Sequence, residues 1–159
     1  MRSNDNRAPT APAELVRAYL DALQRQDPDA LCALVTDDFV LEVPLHASGS
    51  NDPRDTISWR GIEDYRINYC EHFPKIMTSQ RLTDVVIRPT VDQDVVYAEA
   101  FGDMTLSNGS PYKNRYVFRF DLRDGKICGL LEFCNPVTAA IAFKDYQDLS
   151  LPRREAPQT

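Results

Sequence analysis

The sequence has few of the residues that build metal centres and phosphate-binding loops. It contains only two histidines, His46 and His72, and its four cysteines form no C-x-x-C pair, whereas a zinc site needs several such ligands at short spacing. Its six glycines form no Gly-rich phosphate loop, and neither a G-x-S-x-G motif nor a Ser-His-Asp order is present. We therefore expect no metal and no nucleotide or redox cofactor. A site that joins the two histidines to carboxylates is the weaker alternative.

A basic surface and a long apolar run are also missing. The formal net charge is −6 and the isoelectric point is about 4.9, whereas binding to nucleic-acid phosphates requires clustered Lys and Arg. No apolar run approaches the roughly 20 residues that cross a bilayer. Residues 1–10 are polar and lack the apolar core of a signal peptide. We therefore expect a cytoplasmic protein that binds neither nucleic acid nor membranes.

The length and composition are those of one globular domain. The chain has 159 residues, of which 43% are hydrophobic and 26% charged, a usual balance for a folded domain. Residues 1–10 and 144–159 are mostly polar and contain proline. We expect the first to be a disordered N-terminus and the second a C-terminal tail, on either side of a domain at 11–143.

Three helices precede most of the predicted strands. Apolar residues recur at i, i+3, i+4 and i+7 over residues 11–24, which predicts an amphipathic helix. A second helix begins at Pro28 with Asp27 as its N-cap. A third spans residues 62–72 and is expected to be closed by Pro74.

Five strands accompany these helices. Asp37-Asp38 is interpreted as a turn, residues 39–45 as a strand, and 46–57 as a polar loop long enough to form a pocket rim. The four longer strands are predicted at 79–88, 94–106, 111–122 and 126–135. Asn108-Gly109 and Asp124-Gly125 are turn pairs between the last three, so these strands form an antiparallel meander.

This order of elements predicts an α+β fold. We expect a cone-shaped barrel made of a strongly curved antiparallel sheet, with the three N-terminal helices covering its concave face. A last helical turn is expected after Pro136. The space inside such a cone is either filled by side chains or left as a pocket.

Glu132 is the candidate catalytic residue with the most unusual surroundings. The side chains that share its strand face, Cys128, Leu130 and Cys134, are apolar. A carboxylate in such a setting is costly unless it is paired or protonated, and desolvation raises its pKa toward the range useful in acid–base catalysis. The alternative is a glutamate at a sheet edge, or one paired with an arginine at a dimer interface.

The strand at 111–122 has an aromatic face with a few polar groups on it. Its alternation places Tyr112, Asn114, Tyr116, Phe118 and Phe120 on one side. A few hydrogen-bonding groups on an apolar wall are typical of a ligand pocket. We therefore propose Tyr116 and Asn114 as catalytic candidates and Tyr112 and Phe118 as substrate contacts. The alternative is an aromatic core whose hydroxyls bind backbone groups.

Three tyrosines and a tryptophan add to the candidate pocket from the helical part of the chain. Tyr19, Tyr65 and Tyr69 lie on apolar helix stripes, and Trp59 precedes the third helix. Phenols that converge on a dry pocket can orient a carbonyl or stabilise an enolate. Ordinary core packing is the alternative for each of these residues.

Two long stretches resemble a known family. LVRAYLDALQRQDPDALCALVTDDFVLEVP at 15–44 resembles the opening of the SnoaL-like and ketosteroid-isomerase-like branches of the nuclear-transport-factor-2-like superfamily. YKNRYVFRFDLRDGKICGLLEFCNP at 112–136 resembles the closing hairpin of the same superfamily. The chain from Trp59 onward is similar to phenazine-biosynthesis proteins of the A/B type. The resemblance covers roughly 12–143 and implies the cone fold, whereas fold alone does not fix a reaction.

The resemblance to ketosteroid isomerases carries over only in part. Tyr19 falls where those enzymes place their oxyanion-hole tyrosine, and Tyr116 lies near the position of their protonated aspartate. Val43 occupies the position of their general-base aspartate. Because that base is missing, the resemblance does not imply steroid isomerisation, and it leaves Val43 as a pocket-wall residue.

The phenazine-type and epoxide-hydrolase-like relatives give two further comparisons. In the phenazine-type proteins a glutamate of the last strand contacts the substrate, and Glu132 matches it. Their helix His and Ser correspond to Tyr65 and Tyr69. Limonene-epoxide-hydrolase-like proteins need an Asp-Arg-Asp arrangement, for which Asn114-Arg115-Tyr116 supplies no second aspartate.

These observations favour a cofactor-independent enzyme that acts on a small hydrophobic metabolite of natural-product biosynthesis. The reaction would be an isomerisation, cyclisation or condensation in which Glu132 moves a proton, while Tyr116, Asn114 and a helix tyrosine bind an oxygen. The alternative is a non-catalytic binding protein or accessory subunit with a filled cone, and epoxide hydrolysis is less favoured. A homodimer is expected because the last strands are apolar on both faces.

Overall fold

The computed structural model describes residues 11–149. The expectations for residues 1–10 and for the tail from 150 onward lie outside this range. Residues 144–149, expected to begin the tail, form a 3₁₀ helix, Lys144–Leu149. No helix within the described range is long and apolar enough to cross a membrane.

The first two helices begin where the sequence predicts. Helix α1 is Ala11–Arg25 and buries one face, which includes Val16 and Tyr19. Helix α2 is Pro28–Ala33, and the Asp27 side chain accepts a hydrogen bond from the Ala30 N–H at 3.0 Å. This bond satisfies one of the N–H groups that a helix start leaves unpaired.

The third helix is divided, and the predicted stop at Pro74 is wrong. Helix α3 is Ile62–Tyr65 and continues as a π-helical turn over Arg66–Cys70. Helix α4 is Phe73–Ile76 and contains Pro74 in its first turn. Proline is favourable there because its missing N–H would have no partner in a first turn anyway.

Within residues 11–149, seven strands form one sheet. Their bounds are β1 Val35–Val43, β2 Ile57–Arg60, β3 Met77–Pro89, β4 Val95–Leu106, β5 Pro111–Tyr112, β6 Arg115–Arg123 and β7 Lys126–Phe133. The order is β2-β1-β7-β6-β4-β3, with β5 on β4. The antiparallel meander is confirmed for β3, β4, β6 and β7, whereas β1 pairs with β7 in parallel.

The sheet differs from the prediction in four details. Strand β1 spans Val35–Val43 instead of residues 39–45, and β2 was not predicted. Asp37 and Asp38 are not in a turn; they lie inside β1, where the pairing with β7 shifts between Val35 and Val40. The strand predicted at 111–122 is broken at Asn114, whose side-chain Oδ1 accepts a hydrogen bond from the Arg115 N–H at 2.8 Å. A polar side chain that bonds to its own backbone competes with the sheet ladder.

The fold is α+β with a curled sheet that does not close, because β2 and β3 remain as edges. Helix α1 packs on β3 and β4, and α3 packs on β1 and β2. That the helices cover the concave face stays a prediction. Helix α5, Pro136–Ala142, begins at the proline expected to start a last helical turn.

Aromatic side chains join the helices to the buried face of the sheet. The Tyr19 ring contacts Phe120 edge-on, with centroids 5.4 Å apart. Phe39 contacts Tyr65 in the same way at 4.7 Å. Such edge-to-face pairs add to the free energy of apolar burial.

Candidate functional site

A cavity of about 320 Å³ lies beside this aromatic core. Its walls come from strands β1 to β7, from the segment after β1 and from α5. The volume is at the lower end of the roughly 300–1,000 Å³ typical of ligand pockets. The polar loop at 46–57 was predicted to form a pocket rim, and His46 and Ala47 at its start do line the cavity.

Most of the cavity wall is apolar. Val43, Trp59 and Phe118 line it. The Trp59 indole N–H donates to the Asn68 carbonyl at 3.2 Å, and its ring lies edge-on to Tyr69 with centroids 5.0 Å apart. The apolar wall can bury an apolar substrate. The few polar atoms of the wall determine which reactions the cavity can support.

Glu132 is the carboxylate of this cavity. It lies on β7 directly opposite Phe118 of β6, and it lines the space together with Cys134. It makes no hydrogen bond or ion pair with any other described residue. Desolvation alone raises its pKa from the ordinary 4.5 to about 7. Its side chain keeps partial accessibility because it faces the cavity.

The strand-face tyrosines form a hydrogen-bonded cluster at the same cavity. Tyr112 and Tyr116 both line it, and the Tyr116 hydroxyl donates to the Tyr112 hydroxyl at 3.2 Å. The pKa of Tyr112 is raised by burial to about 12, and the charge of Glu132 contributes to the rise. Burial also raises the pKa of Tyr69, Tyr116 and Cys134, and the charge of Glu132 adds to each rise.

Asn114 stands beside the cavity and does not line it. Its side chain is 6% exposed and donates to the Tyr112 hydroxyl at 3.0 Å. It also donates to the Asn135 carbonyl at 3.0 Å and accepts from the Asn135 N–H at 3.0 Å. The structure therefore brings Asn114 into contact with a cavity residue while its own polar atoms are fully occupied.

The helix tyrosines divide into a sealed pair and one cavity residue. Tyr19 and Tyr65 are fully buried, do not line the cavity, and share a hydroxyl–hydroxyl hydrogen bond of 2.6 Å. Tyr69 stacks on Tyr65, with centroids 5.2 Å apart, and does line the cavity. Of the three helix tyrosines, only Tyr69 is in place to contact a substrate.

The sequence comparison identifies the family. Residues 16–130 match the family model of the SnoaL-like domain. The chain belongs to the SnoaL-like domain family. A curated relative, the uncharacterised protein YesE of Bacillus subtilis strain 168, is 26% identical over 131 residues, which is 82% of this chain and 85% of YesE.

Solved structures show the same fold as this SnoaL-like chain. A candidate isomerase from Bacillus subtilis has a TM-score of 0.71 and 23% identity over 84% of this chain and 93% of its own. A candidate polyketide cyclase from Pseudomonas putida has a TM-score of 0.64 and 22% identity over 80% and 93%. A phenazine biosynthesis-related protein from Pseudomonas aeruginosa has a TM-score of 0.60 and 20% identity over 92% and 94%.

Sequence reasoning missed a second unpartnered polar group of the SnoaL-like cavity. Gln80 of β3 is 8% exposed, lines the cavity and makes no side-chain hydrogen bond with another described residue. It lies opposite Met104 of β4, which contacts the Tyr116 hydroxyl. The available signal was its parity with Leu82, which makes Gln80 an amide on an apolar strand face.

The two histidines lie outside the hydrogen-bonded tyrosine cluster. His46 lines the cavity and its Nδ1 hydrogen-bonds to the Ser48 hydroxyl at 2.7 Å. His72 packs edge-on against Phe73, with centroids 6.2 Å apart. Within residues 11–149, no three His, Cys, Asp or Glu side chains gather in a way that could hold a metal ion.

The cavity chemistry follows from these placements. A carboxyl group with a pKa near neutrality can both accept and release a proton at physiological pH. Phenol hydroxyls held beside it in a dry site can stabilise negative charge on a substrate oxygen. The combination suits proton transfer next to a carbonyl group.

Proposed function

We propose that this SnoaL-like protein is a cofactor-independent enzyme that isomerises or cyclises a small, largely apolar carbonyl metabolite. The observation that carries the proposal is Glu132, a desolvated carboxyl group without a partner among the described residues, facing an apolar cavity. The protein would use the energy of folding to hold this acid in an unfavourable but reactive environment.

The proposed reaction moves one proton without any external reagent. The Glu132 carboxylate takes a proton from the carbon next to the substrate carbonyl, and the C–H electron pair becomes the C=C bond of an enolate whose oxygen carries the charge. In isomerisation the same proton returns to a different carbon. In cyclisation the enolate carbon attacks a second carbonyl group, and the proton is given to the new alkoxide. Glu132 is restored in both cases.

Three structural neighbours support this class of reaction. Their descriptions are a candidate isomerase, a candidate polyketide cyclase and a phenazine biosynthesis-related protein. The last two descriptions also support a role in natural-product biosynthesis, and we propose the same setting for this chain, in the cytoplasm.

Binding without turnover is the rival function, and the cavity itself makes it testable. A filled cone was the expectation for a non-catalytic protein, whereas Phe118 and Trp59 line an open space of about 320 Å³. An apolar space of this size supports a small-molecule ligand for either function. Glu132 decides between them because a passive binder does not need a proton-transfer group.

The experiment is proton exchange with solvent, which needs no knowledge of the final product. Cyclic enones and 1,3-diketones are incubated with the protein in deuterated water, and loss of the proton next to the carbonyl is followed by NMR. Glu132→Gln should slow the catalysed exchange by roughly 10²- to 10⁴-fold because it removes the transferring group.

Glu14→Gln is the matched control, since Glu14 is an exposed carboxylate on α1 that does not line the cavity. It should leave the exchange rate unchanged. If Glu132→Gln exchanges protons as fast as the wild type, the acid–base role is wrong and the binding function takes its place.

We also propose that two copies pair through the outer face of the sheet. Tyr97 and Phe101 on β4 and Val117 on β6 are 41%, 46% and 38% exposed and lie on adjacent strands. Glu99 and Arg115 stand among them on the same face, so the patch carries both charges and can complement a second copy of itself.

A further inference from the structure

The hydrogen bonds of Asn114 fix the orientation of its amide. Its Oδ1 accepts from two backbone N–H groups, those of Arg115 at 2.8 Å and Asn135 at 3.0 Å. Its Nδ2 donates to the Asn135 carbonyl and to the Tyr112 hydroxyl, each at 3.0 Å. Rotation of the amide by half a turn would set its NH₂ group against two N–H donors. The contact with Tyr112 is therefore a donation from Asn114.

The Tyr112 oxygen has a second donor. The Tyr116 hydroxyl lies 3.2 Å from the Tyr112 oxygen and donates to it. The other neighbour of the Tyr116 hydroxyl is the Met104 sulfur at 3.9 Å, which is a weak acceptor. A phenol oxygen has two lone pairs, and here both are occupied by donated hydrogen bonds. Tyr112 can therefore only donate its own proton.

No described residue accepts the Tyr112 proton, and Tyr112 lines the cavity. The proton is consequently available to whatever the cavity holds. Because both bonds to its oxygen come from donors, they stabilise the oxygen as negative charge grows on it.

The other cavity phenols are less suited to this task. The two donated hydrogen bonds lower the pKa of Tyr112 against the effect of burial, and the net value is about 12. Burial raises the pKa of Tyr69 and Tyr116 well above the ordinary 10 without such compensation. Tyr146 is occupied at the cavity edge by the Ser107 hydroxyl and the Asn108 N–H, each at 3.0 Å.

We infer that Tyr112 is the hydrogen-bond donor that holds the substrate oxygen, and that Asn114 is a positioning residue that acts only through Tyr112. The inference rests on the proposed function and narrows its substrate class to compounds with a carbonyl or enol oxygen next to the carbon that Glu132 deprotonates. Tyr19, the position implied by the resemblance to ketosteroid isomerases, does not fill this role because its hydroxyl is sealed against Tyr65.

The test uses p-nitrophenolate as the probe, a flat aromatic oxyanion whose absorption shifts on binding. Affinity is measured in a Glu132→Gln background, so that the carboxylate charge neither repels the probe nor enters the result. Tyr112→Phe should weaken binding roughly 10- to 100-fold, the usual range for one hydrogen bond to a charged group.

Asn114→Ala should lose a comparable factor, and the double variant Tyr112→Phe/Asn114→Ala should be no weaker than Tyr112→Phe alone. This lack of additivity is the signature of a residue that acts through another. Tyr146→Phe is the matched control, a cavity phenol whose hydroxyl is already bound by Ser107 and Asn108, and should bind the probe as tightly as the background protein.

Asn114 also joins β6 to the end of β7, so Asn114→Ala can fail to fold. Asn114→Asp keeps the oxygen that accepts from the two backbone N–H groups and removes the NH₂ donor to Tyr112. A carboxylate there accepts the Tyr112 proton and turns it away from the cavity, so probe binding should fall at least as far as in Tyr112→Phe.

Three results would overturn the inference: no saturable binding of the probe, full affinity in Tyr112→Phe, or additive losses in the double variant. None of them depends on turnover. If Glu132→Gln exchanges protons normally while the probe still requires Tyr112, the proposed function fails and the oxygen-holding role of Tyr112 stands as a binding property.

Discussion

At the scale of single residues, the carboxyl group of Glu132 lowers the stability of the folded protein. Glu132 has neither a cation nor a hydrogen-bond donor among the described residues, and its pKa is raised to about 7 by desolvation. A structural glutamate would have a partner, because burying an unpaired charge costs far more than burying a paired one. The phenols around it, Tyr69, Tyr112 and Tyr116, have pKa values above 10 and stay neutral through this range.

The first prediction concerns stability against pH. The pKa of Glu132 is higher in the folded state than in the unfolded one, so the folded protein binds more protons between about pH 4.5 and 7. Its free energy of unfolding should therefore fall as the pH rises through this window, by about 3 kcal/mol in total, and stay low above it.

Chemical denaturation of wild type and Glu132→Gln at pH 5 and pH 8 measures this contribution. The difference between the two proteins should grow in favour of Glu132→Gln by about 2.5 kcal/mol from the lower to the higher pH, because part of the loss has already occurred at pH 5. A difference that does not change with pH would contradict the raised pKa.

The sequence predicted which residues share the strand face, but it did not predict the hydrogen bonds between them. Glu132, Tyr112, Tyr116 and Phe118 line the cavity because strand alternation fixes which side chains share a face. Strand alternation could not predict the hydrogen bond from Asn114 to the Asn135 carbonyl, because the two residues are 21 positions apart in the chain.

At the scale of the elements, the site depends on close packing between neighbouring strands. Gly102 of β4 lies against the Tyr116 ring and the Met104 thioether. A Cβ at this position would come within 2.7 Å of Tyr116 Cε2 and 2.8 Å of Met104 Sδ. The sulfur can move, but the phenol ring is held in its cluster by the Tyr112 hydroxyl.

The second prediction is that Gly102→Ala overpacks this part of the sheet. It should lower the free energy of unfolding by roughly 1–3 kcal/mol, as extra methyl groups do in a filled core, and should displace Tyr116 from Tyr112. Gly129→Ala on β7 is the control, because its Cβ would meet only the Asp121 carboxylate, at 3.3 Å. Equal stability of both variants by thermal denaturation would show that the Tyr116 contact is not tight.

Helices and long strands were predictable because their signals are local. The cap of α2 and the turns before β5 and β7 follow from Asp, Asn and Gly at defined offsets. The division of the third helix was not predictable, because Pro74 is compatible with both a helix end and a helix start. The parallel pairing of β1 with β7 depends on the curvature of the whole sheet. No local sequence pattern predicts that curvature.

At the scale of the whole molecule, the outer sheet face exposes the apolar side chains of Tyr97, Phe101 and Val117. Arg119 on β6 has a buried Nε atom with no hydrogen-bond partner among the described residues, beside the exposed Tyr97 with which it is in register. Burying this face in a symmetric pair would remove apolar area from water.

The third prediction is that the protein is a dimer and that Val117→Lys separates it. A lysine at the centre of the patch would be buried against its own copy across the two-fold axis, which is strongly unfavourable. Light scattering during size-exclusion chromatography should give twice the chain mass for the wild type and the chain mass for the variant.

Ile67→Lys is the control for this experiment, since Ile67 is 52% exposed on the π-helical turn, away from the outer sheet face. It should stay dimeric. A wild type that elutes with the mass of one chain at all concentrations would remove the proposed pairing and leave the cavity chemistry untouched.

The most direct test of the account is the titration of Glu132 itself. Glutamate labelled with ¹³C at the carboxyl carbon gives one NMR signal per side chain, and the signal lost in Glu132→Gln assigns the residue. We expect the titration of this signal to have its midpoint near pH 7, because the Glu132 carboxyl group is buried without an ionic or hydrogen-bonding partner among the described residues. A midpoint near the ordinary 4.5 would mean that the carboxyl group is hydrated or paired, and the proposed proton transfer would then have no basis.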